Sequence, residues 1–358
     1  MKKQTSLGLI VAALALPAVS YFAYQHWAQR DVSAKTEMLS LLPSDPSAVL
    51  FADLVELRRA PFIASLYAWA PQPQADPEYA QFVKETGFDY ERDLDRIAIA
   101  VTRRGPDTFL LAIADGKFDK QKVSAYALKA GMVTKTSGHD LFSVPLSGSP
   151  RKISFTFLRD GRMALTDDSN LAAFLTAKKR EADASEWRSR FERLSGSPVF
   201  VVIRQDAAAG AALAAQAPGS LRSPQLSALL DQLQWITLAG KPENDRLRIV
   251  AEGESAADAP ARQLTDMLNG VVILAQAGLN DSKTRQQLDP ATREAYLEVL
   301  KSADISRIDR GETKSVRVVL EITPKFLDAA RPASPLAPGS APGKPTQGKA
   351  SPSKKGHI

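Results

Sequence analysis

Arg96-Ile-Ala-Ile-Ala-Val-Thr102, Arg103-Arg-Gly-Pro-Asp107 and Thr108-Phe-Leu-Leu-Ala-Ile-Ala114 follow one another without a break, and together they decide the fold. Ile97, Ile99 and Val101 recur with the period of two that places them on one face of a strand. The Gly-Pro turn sends the chain straight back into a second apolar run. The stretch therefore reads as an antiparallel hairpin, not as a strand waiting for a helical crossover to a parallel partner.

Toward the N-terminus, Ala48-Val-Leu-Phe-Ala-Asp53 reads as a short buried strand. Asp53 and Glu56 form a capping-box pattern that opens a helix, which Pro61 breaks or restarts before Phe62, Leu66 and Trp69. Toward the C-terminus, Asp119 caps a helix ending at Gly131, and Leu141 to Pro145 and Ile153 to Leu158 follow as strands. Arg159-Asp-Gly-Arg162 turns the chain into Met163 to Thr166, and a helix runs from about Leu171 to Lys179.

The order then recurs. Val199 to Arg204 is a strand and Pro224 to Gln232 a helix, and Trp235 to Gly240 pairs with Leu247 to Glu252 around Pro242-Glu-Asn-Asp245. A long helix from Asp258 or Pro260 to Gly278 and a second from Thr292 to Ser302 precede strands Ile305 to Asp309 and Val316 to Ile322. Pro324 opens a last short helix. The pattern predicts an α+β fold of two similar halves, residues 43–195 and 196–330, in mainly antiparallel sheet with helices packed on one face. Two such halves either share one long sheet or face each other across a groove.

Residues 1–30 are a hydrophobic anchor or signal segment. Lys2 and Lys3 precede Leu7-Gly-Leu-Ile-Val-Ala-Ala-Leu-Ala-Leu16 and Tyr21-Phe-Ala-Tyr-Gln-His-Trp27. Thr5 to Trp27 as a helix would reach about 34 Å, enough for a hydrocarbon core of about 30 Å. The lysines favour a cytoplasmic N-terminus, and the aromatic residues suit the far interface. The ten-residue apolar run, Pro17 and Ala18-Val-Ser20 fit the competing reading, a signal peptide cleaved after Ser20. Either reading puts the body outside the cytoplasm, in a single-pass arrangement or as a periplasmic or secreted protein. Residues 31–42 read as a connector.

Residues 331–358 turn to Pro, Ala, Ser, Gly and Lys, a composition that cannot bury enough apolar surface to offset chain entropy, so a disordered tail is expected. Its lysines suit contact with anionic surface polymers. The net charge of +6 is concentrated at the two ends: without residues 331–358 it is +1, and without Lys2 and Lys3 as well it is −1. A near-neutral body argues against nucleic-acid binding.

The residue inventory excludes much chemistry. There is no cysteine, hence no disulfide, thiol nucleophile or lipid-modified cysteine. Of three histidines, His26 lies at the membrane boundary and His357 in the tail, leaving His139 in a Ser-Gly-His-Asp turn, so multi-histidine zinc and Ser-His-Asp mechanisms are ruled out. Phe88-Asp-Tyr-Glu-Arg-Asp-Leu-Asp-Arg96 resembles a calcium loop only until Leu94 and Ala100, which stand where glycine and glutamate are required. Arg92 and Arg96 are expected to pair with its acids on a solvated turn, and Asp167-Asp168 to cap a helix.

Ser149-Pro-Arg-Lys152 matches Ser-x-x-Lys only within a loop, and no phosphate loop or dinucleotide fingerprint occurs. Leu-Ser-Gly-Ser-Pro appears at 146–150 and 194–198, each time before a strand, as turn chemistry. The stripe Leu264, Met267, Leu268, Val271 and Val272 fits a core-facing helix, or the wall of an apolar cavity. No catalytic, cofactor-binding or metal residue is assigned, and no cofactor is expected.

Leu41-Leu-Pro-Ser-Asp-Pro-Ser-Ala-Val-Leu-Phe-Ala-Asp-Leu54, with Gly87-Phe-Asp-Tyr-Glu-Arg-Asp-Leu-Asp-Arg-Ile-Ala-Ile-Ala-Val101, resembles a group of bacterial exported proteins of unknown function. Their bodies open with a Leu-Pro-x-Asp segment, a short strand and a helix. The resemblance covers roughly residues 41–330, implies a bacterial envelope protein and brings no catalytic residues. The expectation is a membrane-tethered extracytoplasmic protein, a non-enzymatic interaction or scaffold module with an envelope protein partner. The alternatives are a carrier of an apolar ligand or lipid, and a hydrolase working with carboxylates alone.

Overall fold

The hairpin at 96–114 forms as the sequence predicts and lies near the middle of a long sheet. The computed structural model describes residues 32–70, 76–105, 107–136, 138–145, 151–168, 171–176, 181–205, 228–311 and 313–331. Helix α1 (Val32–Ser40) and strand β1 (Ala48–Asp53) lead into helices α2 (Leu54–Leu57), α3 (Pro61–Trp69), α4 (Pro77–Thr86) and α5 (Tyr90–Asp93). Strands β2 (Leu94–Arg104) and β3 (Asp107–Gly116) are the hairpin. Helix α6 (Lys120–Ala130) follows, then hairpins β4 (Met132–Thr136) with β5 (His139–Pro145) and β6 (Lys152–Arg159) with β7 (Arg162–Thr166).

Helices α7 (Leu171–Thr176) and α8 (Glu181–Arg193) lead to β8 (Val199–Arg204), β9 (Trp235–Glu243) and β10 (Arg246–Ser255). Helices α9 (Asp258–Asn280), α10 (Ser282–Gln287) and α11 (Pro290–Ser302), strands β11 (Asp304–Asp309) and β12 (Lys314–Ile322), and helix α12 (Pro324–Ala329) complete the described chain. No helix among the described residues is long and apolar enough to cross a membrane. The expected anchor, tail and 224–227 helix start, and the first Leu-Ser-Gly-Ser-Pro copy, lie outside these residues.

Among the described residues twelve strands form one sheet. From the central β1–β8 pair it runs β1-β2-β3-β7-β6-β5-β4 one way and β8-β9-β10-β12-β11 the other. Each side starts with one strand, adds a hairpin, and receives the second strand of a later hairpin against the outer strand of the first. The antiparallel seam from Ala48↔Ile203 to Ala52↔Val199 joins the two sides, so they share one sheet instead of facing across a groove.

One cross-strand row fixes the first face. Ala239, Phe200, Phe51, Ala98, Ile113 and Ala164 are successive partners on six neighbouring strands, and all belong to one buried cluster. The rings of Phe51 and Phe200 stack with centroids 5.3 Å apart, above the small side chains of β2. Ala98 and Ala100 are therefore buried more completely than Ile97, Ile99 and Val101, which point to the second face.

The helices are not confined to one face. On the second face, Ala52, Leu54, Leu57, Phe62, Ile63 and Leu327 gather α2, α3 and α12, while Val123 and Ala127 seat α6, and Leu264 seats the start of α9. On the first face, Met38, Leu39 and Leu42 from α1 and its exit join Trp187 of α8 over the central strands. Residues 32–40, expected as connector, are thus part of the fold. The reason is packing: Phe51, Phe200 and Trp235 make the central first face too apolar to leave in water.

The α6 to β4 corner requires glycine at 131. A Cβ there would lie 2.0 Å from the carbonyl oxygen of Ser143, a backbone atom that cannot move aside cheaply. Gly131→Ala should lower stability by about 1–3 kcal/mol in denaturant unfolding. Gly270→Ala, in open space on α9, should instead raise it by about 0.5–1 kcal/mol through helix propensity.

Candidate functional site: a cleft between α1 and α8

Helices α1 and α8 both rest on the first face but leave a gap between them, a cavity of about 240 Å³. Leu39, Leu42, Val49, Trp187 and Phe191 supply its apolar wall, Lys35 enters from α1, and Arg188 and Glu192 enter from α8. Trp187, Phe191 and Leu194 recur at i, i+4 and i+7, which turns one stripe of α8 to the sheet. Trp187 meets Trp235 edge-on with centroids 4.9 Å apart, and Phe191 lies 5.9 Å from Phe200.

Two polar groups in this wall stand out. Trp187 is 4% exposed and its Nε1 is buried without a hydrogen-bond partner among the described residues. Such a donor is costly to leave unmet. Lys35 Nζ donates to the carbonyl oxygens of Ser195 and Ser197, at 3.0 and 2.9 Å. These carbonyls belong to the second Leu-Ser-Gly-Ser-Pro copy, so that turn also has the role of cradling an ammonium. The same ammonium lies 4.6 Å from the Phe51 ring centroid and 4.9 Å from that of Phe200. Burial pushes Lys35 down to about 8, against the opposing pull of Asp53 and Glu56. Asp53 itself is taken up by Arg96, at 2.8 Å, and by capping α2.

A fixed ion-pair cluster fastens α8 beside the cleft. Glu254 of β10 is 1% exposed and accepts from Arg190 at 2.5 Å and from Arg193. The Arg190 guanidinium lies 3.8 Å from the Trp235 ring centroid. On the same face, two residues along β10, Glu252 pairs with Arg310. Burial works against ionisation of Glu252, but the Arg310 hydrogen bonds and charge outweigh it and hold the carboxyl below its usual range. The unfolded carboxyl titrates near pH 4.3, so the pair's contribution is present above about pH 4.3 and is lost as pH falls through the lower folded value. Arg310→Met should flatten that acid-side decline in a series of thermal melts between pH 5 and 2.5.

The residues singled out in the sequence mostly have structural parts. Asp89 caps α5 and accepts from Tyr79 Oη, and Asp93, expected on a solvated turn, is buried against Arg92 and the Asp89 N–H. Asp167 accepts from Leu110 N and Arg151. His139 opens β5 opposite Thr136. The α9 stripe splits: Leu264 is core, while Val271 joins Ile273 and Leu274 in facing solvent. Among the described residues no group of three or more His, Asp and Glu could hold a metal ion.

Comparison with protein-family models and with curated proteins gives no match. Among solved structures, crystal form I of TP0453 is similar with a TM-score of 0.41 and 11% identity, over 85% of this chain and 98% of that one. Crystal form IV of TP0453 gives a TM-score of 0.42 and 10% identity, over 83% of this chain and 96% of that one. Similarity of this degree carries no inference about activity or ligands.

Proposed function

We propose that the chain is a non-enzymatic binding module of the bacterial envelope, tethered by its N-terminal segment, whose α1–α8 cleft receives an apolar group. The observation that carries this reading is the cavity of about 240 Å³ walled by Leu39, Leu42, Val49, Trp187 and Phe191. Small ligand sites are concave and mostly apolar, with few polar groups. Among the described residues Glu192 is the one acid in the wall, so they bring no pair of carboxylates for acid and base work to this cleft. Organic extraction of the purified full chain, followed by mass spectrometry, should release an apolar small molecule. An empty extract, with no apolar compound able to bind when added back, would defeat the reading.

A second reading, a protein partner in the envelope, is favoured by the end of α9, where Ile273 and Leu274 are 64% and 73% exposed. Crosslinking in intact membranes should then give a heteromeric product that Ile273→Asp with Leu274→Asp abolishes. Recovery of the monomer alone would remove this second reading.

A further inference from the structure

We infer that the α1–α8 cleft binds a medium-chain carboxylate, its tail in the apolar cavity and its headgroup on the Lys35 ammonium; this rests on the apolar-ligand reading above. The size of the tail follows from the volume. A cavity of about 150 Å³ takes benzene, so the 240 Å³ here has room for roughly eight to ten heavy atoms.

The chemistry of the head follows from what Lys35 lacks. Half-buried charges are normally neutralised by a partner of opposite sign. Lys35 instead has two neutral carbonyls and two phenyl rings, and it forms no ion pair among the described residues. Its third N–H is uncommitted by those two bonds. Asp53 of β1, the strongest source of negative field at the ammonium, is tied to Arg96 of β2. The remaining charged groups around the ammonium are Glu56 on α2 and, in the cleft wall, Arg188 and Glu192 on α8. A carboxylate entering the cleft would supply the missing charge, and Trp187, in the cleft wall, would sense its arrival.

The full chain in lipid nanodiscs, labelled with ¹⁵N at its indole nitrogens, provides the test, because it holds only four tryptophans. Trp187→Phe identifies the Trp187 signal. Octanoate and methyl octanoate are titrated in, with empty nanodiscs as the control for partitioning. Octanoate should shift and saturate the Trp187 signal at pH 7 and bind at least tenfold tighter than the ester. Its affinity should fall between pH 7 and 10, as Lys35 loses its proton, while that of the ester stays level. Lys35→Met should erase the tenfold preference and Lys35→Arg should keep most of it; the pH series on the unaltered chain holds even if a variant fails to fold. Equal binding of ester and acid would overturn the carboxylate assignment and leave the apolar-ligand reading in place. No response of Trp187 to either compound would overturn both.

Discussion

Replacing Glu254 with alanine is expected to cost about 3–5 kcal/mol, because it leaves a buried cation without its partner. Arg193 is partly exposed and can turn to water. Arg190 is 8% exposed at its side chain, lies against Trp235 and has no such route. For a chain of this size each kcal/mol moves Tm by about 1–2 °C, so circular dichroism should show a fall of roughly 5–8 °C. Glu254→Gln keeps an acceptor and the shape of the side chain, and should lose less. A Glu254→Ala midpoint within a degree or two of the unaltered chain would mean that α8 is not fastened through this cluster.

Phe51→Ala should be comparably damaging, about 3–5 kcal/mol, for a different reason. Phe51 is fully buried, pairs with Phe200 across the seam and stacks on its ring. Its loss opens a void at the one place where the two sides of the sheet meet, and removes a ring from under Lys35. Denaturant unfolding should therefore show a lower midpoint, and hydrogen exchange should show β1 and β8 losing protection first. Ile273→Ala, on the exposed end of α9, is the control and should stay within about 0.5 kcal/mol.

Apart from β4–β5, whose first strand (Met132–Thr136) was not expected, the hairpins were legible because their signals are local. Period-two alternation, Gly-Pro at 105–106 and Asp-Gly at 160–161 give strand and turn without reference to the rest of the chain. The cap at Asp119 was legible for the same reason, and its side chain accepts from Lys122 N as the pattern requires. The cleft was not legible, since both its helices bury only narrow stripes. In α1 and its exit the signal is Lys35, Met38 or Leu39, and Leu42; in α8 and its exit it is Trp187, Phe191 and Leu194. Each stripe is interrupted by charges, one of which, Arg190, is itself buried.

Long-range pairing hid the rest. The Leu247 strand was expected to stop at Glu252, where acids usually signal solvent, yet it continues to Ser255 because Arg310, Arg190 and Arg193 neutralise Glu252 and Glu254. The expectation of helices on one face failed similarly. Ile97, Ile99 and Val101 do mark one face of β2, but the alanines between them line a second buried face that is filled by aromatic rings from β1 and β8. Alanine is too small to announce such a face in a single strand.

The absence of cysteine allows the central claim to be tested directly. Leu39→Cys places one thiol in the cleft wall, and Ala164→Cys places one in the sealed row of the sheet. Under native conditions, octyl methanethiosulfonate should modify Cys at position 39 readily and to completion without loss of the cooperative melt, while position 164 stays unreacted. If both positions react equally slowly, α1 and α8 close over a core that admits no ligand, and the binding account is wrong.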